Sequence, residues 1–283
     1  MTSAATASLG PGRDRLQSGR SSLRRFAYYL PTLLVFAGTV AIWEFVVRNI
    51  DLRGIPLPAP SQIVQALGEN WSNGRWPLAK AAGKTLFEAV GGLAIGTSLG
   101  VVMALLTARY ATAREVLLPL AIGASAVPII AFAPLMNNWF GVLSPLSKMM
   151  IVAVLVFFPV VVNVTRGLTQ VEPSALELMR SYAATEWTVL RALRIPNALP
   201  YFFTALKIGT TLSLIGAIVG EYFGGTSDVL GRVVVQSASA LRFDVTWAAI
   251  ILAAIAGIVL YLLIIVIERT VIPWHASLRR QEP

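Results

Sequence analysis

Six stretches of about 20 mostly apolar residues dominate this chain of 283 residues. They cover roughly 26–48, 84–107, 115–136, 146–165, 199–223 and 246–267. A helix rises about 1.5 Å per residue, so about 20 residues cross the roughly 30 Å hydrocarbon core of a bilayer. The sequence therefore predicts an all-α membrane protein with six transmembrane helices.

The balance of residue types agrees with a chain that lies in lipid. Hydrophobic residues make up 56% of the sequence and charged residues 13%, whereas soluble domains carry about 25% charged residues. The net charge of +9 is also found in nucleic-acid-binding proteins, but arginines that anchor membrane loops produce the same balance. We therefore predict the lipid bilayer as a partner and no nucleic acid. Cysteine is absent, which excludes disulfides and thiolate metal sites.

The positions of lysine and arginine predict the domain limits and the orientation. Residues 1–25 are predicted to be a basic, flexible tail, 26–270 the transmembrane domain and 271–283 a second tail. Most lysines and arginines fall in the segments that a cytoplasmic N-terminus would place inside. Both termini, and the loop between the fourth and fifth stretches, are therefore predicted to be cytoplasmic.

That loop contains a polar segment, residues 173–196, in a chain otherwise built for lipid. Ser174 and Glu177 have the spacing of a capping box, which predicts the start of a first short helix. Thr185 is a candidate cap for a second helix over Glu186–Ile195, which the following proline is expected to end. The polar segment is thus predicted to form two short amphipathic helices.

The second stretch carries small residues at every fourth position, namely Gly92, Gly96, Gly100 and Ala104. Such residues share one helix face and let two helix backbones approach closely in lipid. Close packing within one subunit is favoured over a seam between two subunits.

Three polar residues are candidates for a translocation path or gate: Asn137, Asn163 and Glu221. An ionisable group within the membrane is expensive and suggests a function. Glu221 is expected to be hydrated near the outer end of the fifth stretch, as a gate or a structural hydrogen-bonding group. A proton relay is less favoured, because no second buried carboxylate or histidine is evident near it. For Asn137, a role as a helix-end cap is the competing interpretation.

Nothing in the sequence indicates enzyme chemistry, and we predict neither a catalytic residue nor a metal site. The single histidine, His275, lies near the C-terminus, and no phosphate-binding loop of the Walker type is present. A six-helix membrane protein with a structured loop and no energy source of its own is typical of a permease driven by a separate ATPase.

The stretch from Glu177 to Ala184, continuing through Ile195-Pro196 to Leu199-Pro200, resembles the EAA loop of binding-protein-dependent ABC importer permeases. The resemblance covers about residues 55–270, with the coupling loop at 173–200. It is closest to the branch that serves nitrate, taurine, aliphatic sulfonates and thiamine- or riboflavin-type precursors. Ala183 stands where the family has glycine, so either the turn needs no left-handed residue or the bend is made differently.

The resemblance implies a type I ABC importer permease fold and transport by alternating access in the bacterial inner membrane. Two permease subunits, expected to be identical, would be driven by two ATPases that bind ATP and Mg²⁺. An external solute-binding protein would deliver the solute. This chain itself would bind no cofactor. The expected ATPase-coupling residues are Glu177, Arg180, Ala183, Ala184, Thr185, Trp187, Ile195 and Pro196.

The solute and two alternative functions stay open at this point. A pyrimidine- or riboflavin-type precursor is slightly favoured over nitrate, sulfonate or taurine. An ion-gradient-driven secondary transporter predicts inverted repeats and paired intramembrane charges, which the sequence does not reveal. A channel or scaffold that needs no ATPase is the other alternative.

Overall fold

The computed structural model describes residues 13–49, 57–125, 127–128 and 131–273, and within these ranges it contains helices and no strand. The α-helices, in chain order, are α1 (Arg13–Asn49), α2 (Pro60–Glu69), α3 (Leu78–Arg109), α4 (Ala111–Ala124), α5 (Phe132–Phe140), α6 (Pro145–Thr169), α7 (Pro173–Ser181), α8 (Glu186–Val189), α9 (Ile195–Phe223), α10 (Leu230–Ser239) and α11 (Phe243–Val271). A π-helical turn, Leu190–Arg194, joins α8 to α9.

The chain divides into two compact units, residues 1–62 and 63–283. In the first unit the Glu44 carboxylate accepts hydrogen bonds from the Ser61 amide at 3.0 Å and the Ser61 hydroxyl at 2.8 Å, and it pairs with Arg48. These contacts tie the end of α1 to the start of α2.

The two predicted tails are described only in part. α1 begins at Arg13, so residues 13–25 of the predicted first tail are helical; this run contains no proline and continues directly into the apolar stretch. Of the tails predicted over 1–25 and 271–283, residues 1–12 and 274–283 lie outside the described residues.

Among the residues that the structure describes, five helical segments are long and apolar enough to cross a membrane: 30–49, 78–109, 145–169, 186–223 and 243–271. The prediction of one continuous helix over 115–136 is wrong, because α4 ends at Ala124 and α5 begins at Phe132. Pro128 lies in this break; proline lacks the amide donor and disfavours helical geometry in the preceding residue. The third predicted stretch is therefore a pair of short helices.

The core of the second unit is a close contact between α3 and α6. A Cβ atom on Gly96 would lie 2.5 Å from the Ala153 carbonyl oxygen, and one on Gly92 would lie 2.4 Å from the Val152 Cβ. Neither position has room for a side chain, so the two backbones meet almost directly. This confirms the prediction that the small-residue face packs within one subunit.

The opposite partner of α6 is α9. Val152, Val156, Val160 and Val164 recur at every fourth residue of α6 and are buried in one cluster with residues of α3 and α9. In lipid such packing relies on dispersion between closely fitting surfaces rather than on exclusion of water. The position of α6 between α3 and α9 thus fixes the arrangement of all three.

We predict that Gly96→Ala destabilises the protein, because the added methyl group meets backbone atoms that cannot move aside. Overpacking of this kind costs about 1–3 kcal/mol, more than the roughly 1 kcal/mol that alanine gains over glycine in helix propensity. The matched control is Gly83→Ala on the same helix, where a Cβ atom meets nothing within 4 Å. Thermal unfolding in lipid nanodiscs should show a lower midpoint for Gly96→Ala only. An equal response of both variants would contradict the close contact.

Candidate functional site: the polar segment and a buried charge cluster

The first helix of the polar segment begins at a proline rather than at a capping box. α7 starts at Pro173 with Glu172 as its N-cap, and no side chain caps it. Ser174 is therefore already inside the helix, and the predicted Ser174–Glu177 capping box is wrong. Proline is well suited to the first helical position, because its fixed φ matches the helix and its missing amide donor would have had no partner there.

The turn after α7 is a Schellman motif. The Ala183 amide donates to the Arg180 carbonyl at 2.9 Å, and the Ala184 amide donates to the Met179 carbonyl at 3.0 Å. Ala183 itself has φ +49°, in the left-handed region. The alternative in which this turn needs no left-handed residue is therefore wrong. Alanine occupies a position that favours glycine, at a cost of about 1–2 kcal/mol.

The second helix of the polar segment begins as predicted but does not end as predicted. The Thr185 hydroxyl accepts a hydrogen bond from the Thr188 amide at 3.3 Å, which confirms Thr185 as the N-cap of α8. Pro196 does not end the helix, because α8 continues through the π-helical turn into α9. The Ile195 amide reaches back five residues to the Leu190 carbonyl, and this widened turn admits the proline without breaking the rod.

The polar segment presents its side chains outward. None of the residues of α7 is buried; Glu177 and Arg180 are exposed, as are the larger side chains Leu178, Tyr182 and Trp187. Of the other predicted coupling residues, Ala183, Thr185 and Ile195 are exposed, while Ala184 and Pro196 are half-buried. An exposed patch of large apolar side chains between charges is typical of a protein-binding surface.

A cavity lies beside the polar segment, between the end of α3 and α8. Its volume is about 420 Å³, and Arg109, Glu186, Trp187 and Arg194 are among its lining residues. The exposed indole of Trp187 therefore borders this cavity and lies close in sequence to the turn after α7.

Asn197, which sequence analysis missed, holds the base of the polar segment. Its side-chain amide donates to the carbonyls of Gly167 at 2.7 Å and Gln170 at 3.1 Å, joining the start of α9 to the end of α6. A Cβ on Gly167 would lie only 2.7 Å from the Ala198 Cα, so the two backbones are also in close contact. The segment leaves and re-enters the bundle at one fixed point.

Asn163 and Asn137 lie in different environments. The Asn163 side-chain amide donates to the Pro159 carbonyl of its own helix at 2.8 Å. Asn163 lies fifteen residues, or about 22 Å by the helical rise, from the buried Lys148 near the start of the same helix. Asn137 is buried in α5, and its Oδ1 has no hydrogen-bond partner among the described residues.

Glu221 is fully buried, so the expectation of a hydrated side chain is wrong. Its Oε2 accepts a hydrogen bond from the Gly231 amide at 2.7 Å, because the start of α10 folds back over the end of α9. A Cβ on Gly231 would lie 2.6 Å from the Glu221 Cβ, so this contact requires glycine. The Thr85 hydroxyl accepts from the preceding amide, that of Leu230, at 3.0 Å.

A second carboxylate and a lysine share this buried region with Glu221. Glu88 of α3 is 5% exposed and Lys148 of α6 is fully buried; both interact electrostatically with Glu221. The expectation that no second buried carboxylate lies near Glu221 is therefore wrong. The sequence did contain a signal, because Glu88 stands four residues before Gly92 and continues the small-residue face. The apparent absence of paired intramembrane charges, which argued against an ion-driven transporter, is therefore no longer an argument.

An ion-pair cluster fixes the loop between α9 and α10. Asp228 accepts from Lys84 at 2.6 Å and from the Thr226 hydroxyl at 2.6 Å, and it lies 3.0 Å from the Lys80 ammonium. The hydrogen bond from Lys84, followed by that from Thr226, holds the pKa of Asp228 well below its usual range. The loop is thereby tied to the first turns of α3.

Comparison with known proteins identifies the family. Residues 96–274 match the family model described as "binding-protein-dependent transport system inner membrane component". This chain belongs to that family. It is therefore a multi-pass permease subunit of an ABC importer, and membership implies an ATPase and a solute-binding protein as partners. No group of three or more metal-ligating side chains occurs among the described residues.

Relatives of this permease are matched along nearly their whole length. The formylaminopyrimidine transport permease ThiX of Halalkalibacterium halodurans is 31% identical over 89% of this chain and 99% of its own. The riboflavin transport permease RibX of Chloroflexus aurantiacus is 27% identical over 90% of this chain and 94% of its own. The taurine permease TauC of Escherichia coli is 26% identical over 86% and 90%. The resemblance to this branch is thus confirmed.

A solved structure supports the fold. A chain of the MetNI methionine ABC transporter, in an inward-facing conformation, superposes with a TM-score of 0.53 at 18% identity and covers 76% of this chain and 99% of that chain. The type I importer permease fold expected from the sequence is confirmed, with the third stretch broken into two helices.

We predict that Ala183→Gly stabilises the turn after α7 by about 1 kcal/mol, because glycine removes the left-handed strain of alanine. Ala184→Gly is the matched control: it lies next to Ala183 without positive φ, so it should destabilise by about 0.5–1 kcal/mol. Hydrogen exchange of the α7 amides measures both effects. Changes of the same sign at the two positions would contradict the turn geometry.

We also predict that Asp228 stabilises the protein at neutral pH and ceases to do so in acid. Its folded-state pKa is lowered, so its contribution is present above the unfolded pKa of about 3.9 and is lost as the pH falls through the folded-state pKa. Asp228→Asn should therefore lower the unfolding midpoint at pH 7 and differ less from the parent protein below about pH 4. A difference that is constant with pH would contradict this.

Proposed function

We propose that this permease acts as a homodimer in which the polar segment of each copy docks on a separate ATPase that binds ATP and Mg²⁺. An external binding protein delivers the solute to the opposite side. The observation that carries this proposal is the polar segment itself: a folded turn with exposed Glu177, Arg180 and Trp187, fixed at its base by Asn197. A solvated linker would need neither the Schellman turn nor the anchored base.

The continuous rod from α8 to α9 supports a lever mechanism. Residues 186–223 form one helical path, roughly 57 Å long by the helical rise. A displacement of α8 by a docked ATPase is carried along this path to Glu221, where α10 is attached through the Gly231 amide. Alternating access then follows from rigid-body movement of packed helices.

The charge distribution supports an orientation with both termini in the cytoplasm. Arg166, Arg180, Arg191 and Arg194 lie in or beside the polar segment, at the end of the bundle where α6 ends and α9 begins. Cytoplasmic loops carry the excess of arginine and lysine. The charge cluster around Glu221 then lies toward the external face.

The proposed gate lies at that external end. Glu221 joins α9 to α10, and buried Asn137 of α5 has an unpartnered Oδ1 among the described residues. Asn163 lies deeper, and its amide nitrogen already serves the Pro159 carbonyl, so its carbonyl oxygen is the atom offered to the pathway. We assign Asn137, Asn163 and Glu221 to the translocation path or gate on this basis.

For the solute we favour a nitrogen heterocycle of the pyrimidine or riboflavin-precursor class over nitrate, sulfonate or taurine. Two relatives matched over about nine-tenths of this chain are named for formylaminopyrimidine and riboflavin. A thermal-shift screen of the cognate binding protein tests this directly. A shift with taurine or nitrate and none with heterocycles would overturn the assignment.

We predict that Glu177→Ala combined with Arg180→Ala lowers the amount of ATPase that co-purifies with the permease by about tenfold, because docking surfaces concentrate their binding energy in a few residues. The matched control is Arg114→Ala combined with Glu115→Ala, an acid–base pair on α4 that is predicted to face the same side. Co-purification from nanodiscs at fixed ionic strength is the measurement.

Equal loss in both double variants would show that the effect is not specific to the polar segment. Full retention in the Glu177 and Arg180 double variant would remove these residues from the docking surface. In either case ATP-dependent uptake measured in the same preparation separates docking from transport.

A further inference from the structure

Three ionisable side chains from three different helices meet where α10 folds over the end of α9. They are Glu88 of α3, Lys148 of α6 and Glu221 of α9, with exposures of 5%, 0% and 0%. The proposed lever mechanism uses Glu221 as an attachment point but assigns no role to Glu88 or Lys148.

The formal charges of this cluster do not cancel. Two carboxylates and one ammonium leave one negative charge in a region closed to water. Burying an uncompensated charge costs several kcal/mol even after the protein relaxes, and a buried group takes up or releases a proton instead. An ionised form of all three groups is therefore disfavoured by the geometry alone.

Neighbouring charges do not supply the missing compensation. Lys84 lies on α3 near Glu88, but its ammonium is 2.6 Å from Asp228, which it shares with the more exposed Lys80. Arg232 follows Gly231 on α10; its Nε is buried without a hydrogen-bond partner among the described residues, and within these residues it forms no ion pair with Glu88 or Glu221. Lys148 is held by the carbonyls of Val142 and Ser144, neutral groups that add no charge.

The hydrogen bonding of the two carboxyl groups is incomplete. Among the described residues, Glu88 Oε2 and Glu221 Oε1 are buried and have no hydrogen-bond partner, although the two carboxyl groups lie close enough to interact. An ionised carboxylate oxygen can only accept a hydrogen bond. A proton on either carboxyl group supplies the donor that both oxygens lack.

We propose that Glu88 and Glu221 together bind one proton, so that the cluster they form with Lys148 carries no net charge at neutral pH. The proton completes a neutral junction between α3, α6, α9 and α10. The inference concerns this chain alone and does not depend on docking to an ATPase or on the solute.

Infrared spectroscopy of the full-length protein in nanodiscs tests the proposal at pH 7. The carbonyl stretch of a protonated carboxylic acid, shifted by D₂O, is expected in the parent protein. It should disappear in Glu88→Gln and also in Glu221→Gln, because the remaining carboxylate then pairs with Lys148. In Lys148→Met both carboxyls are protonated and the band roughly doubles. Glu268→Gln, which alters the buried partner of Lys207, is the control and leaves the band unchanged.

A second measurement follows from linkage. Between the unfolded-state pKa of about 4.3 and neutral pH the folded protein binds one proton more than the unfolded chain, so its stability falls as the pH rises, by roughly tenfold in the unfolding constant per pH unit. Glu88→Gln should remove this slope, whereas Glu268→Gln should keep it.

Each result decides the question. Absence of the acid band in the parent protein overturns the proposal, because both carboxyl groups would then be ionised. A band that persists in both glutamine variants belongs to another residue and also overturns it. The glutamine variants keep the shape of the side chain, so they decide the outcome even if Lys148→Met does not fold.

Discussion

The direct contact of the α3 and α6 backbones sets the positions of the other functional groups. A membrane gives helices no gain from leaving water, so they must fit closely, and Gly92 and Gly96 allow this by carrying no side chain where Val152 and Ala153 approach. Glu88 lies on the same face of α3, one turn before Gly92. The contact that packs the core thus also carries Glu88 to Lys148 and Glu221.

The helical path from α8 to α9 connects the polar segment with the buried charge cluster. At one end the Schellman turn and the Thr185 cap shape the polar segment, and Asn197 fixes its base to α6. At the other end Glu221 bonds to the start of α10. The π-helical turn before Pro196 keeps the path continuous where a regular helix would lose a hydrogen bond to the proline. An unbroken helical path therefore joins the polar segment to Glu221.

Sequence analysis succeeded where the signal is local. The length of the apolar stretches predicted the membrane spans, and Thr185 predicted the start of the second helix of the polar segment. The spacing of Gly92 and Gly96 predicted the face of α3 that packs against α6. Contacts between distant parts of the chain were not predicted. Glu221 is buried because α10 folds back over it, and no sequence pattern around Glu221 indicates this. The break between α4 and α5 is an intermediate case, since Pro128 was visible but its effect depends on whether neighbouring groups re-satisfy the backbone.

A buried charge cluster suits a gate better than apolar packing would. Apolar contacts weaken gradually as two surfaces slide apart, whereas a network of buried charges is favourable only when every member is satisfied. Moving α10 away from α9 would strip Glu221 of the Gly231 amide and admit water to Glu88 and Lys148 together. For the proposed gate we therefore expect two conditions, closed and dry or open and hydrated, with a costly range between them. Such two-state behaviour would convert a small displacement of the helical path into a discrete opening.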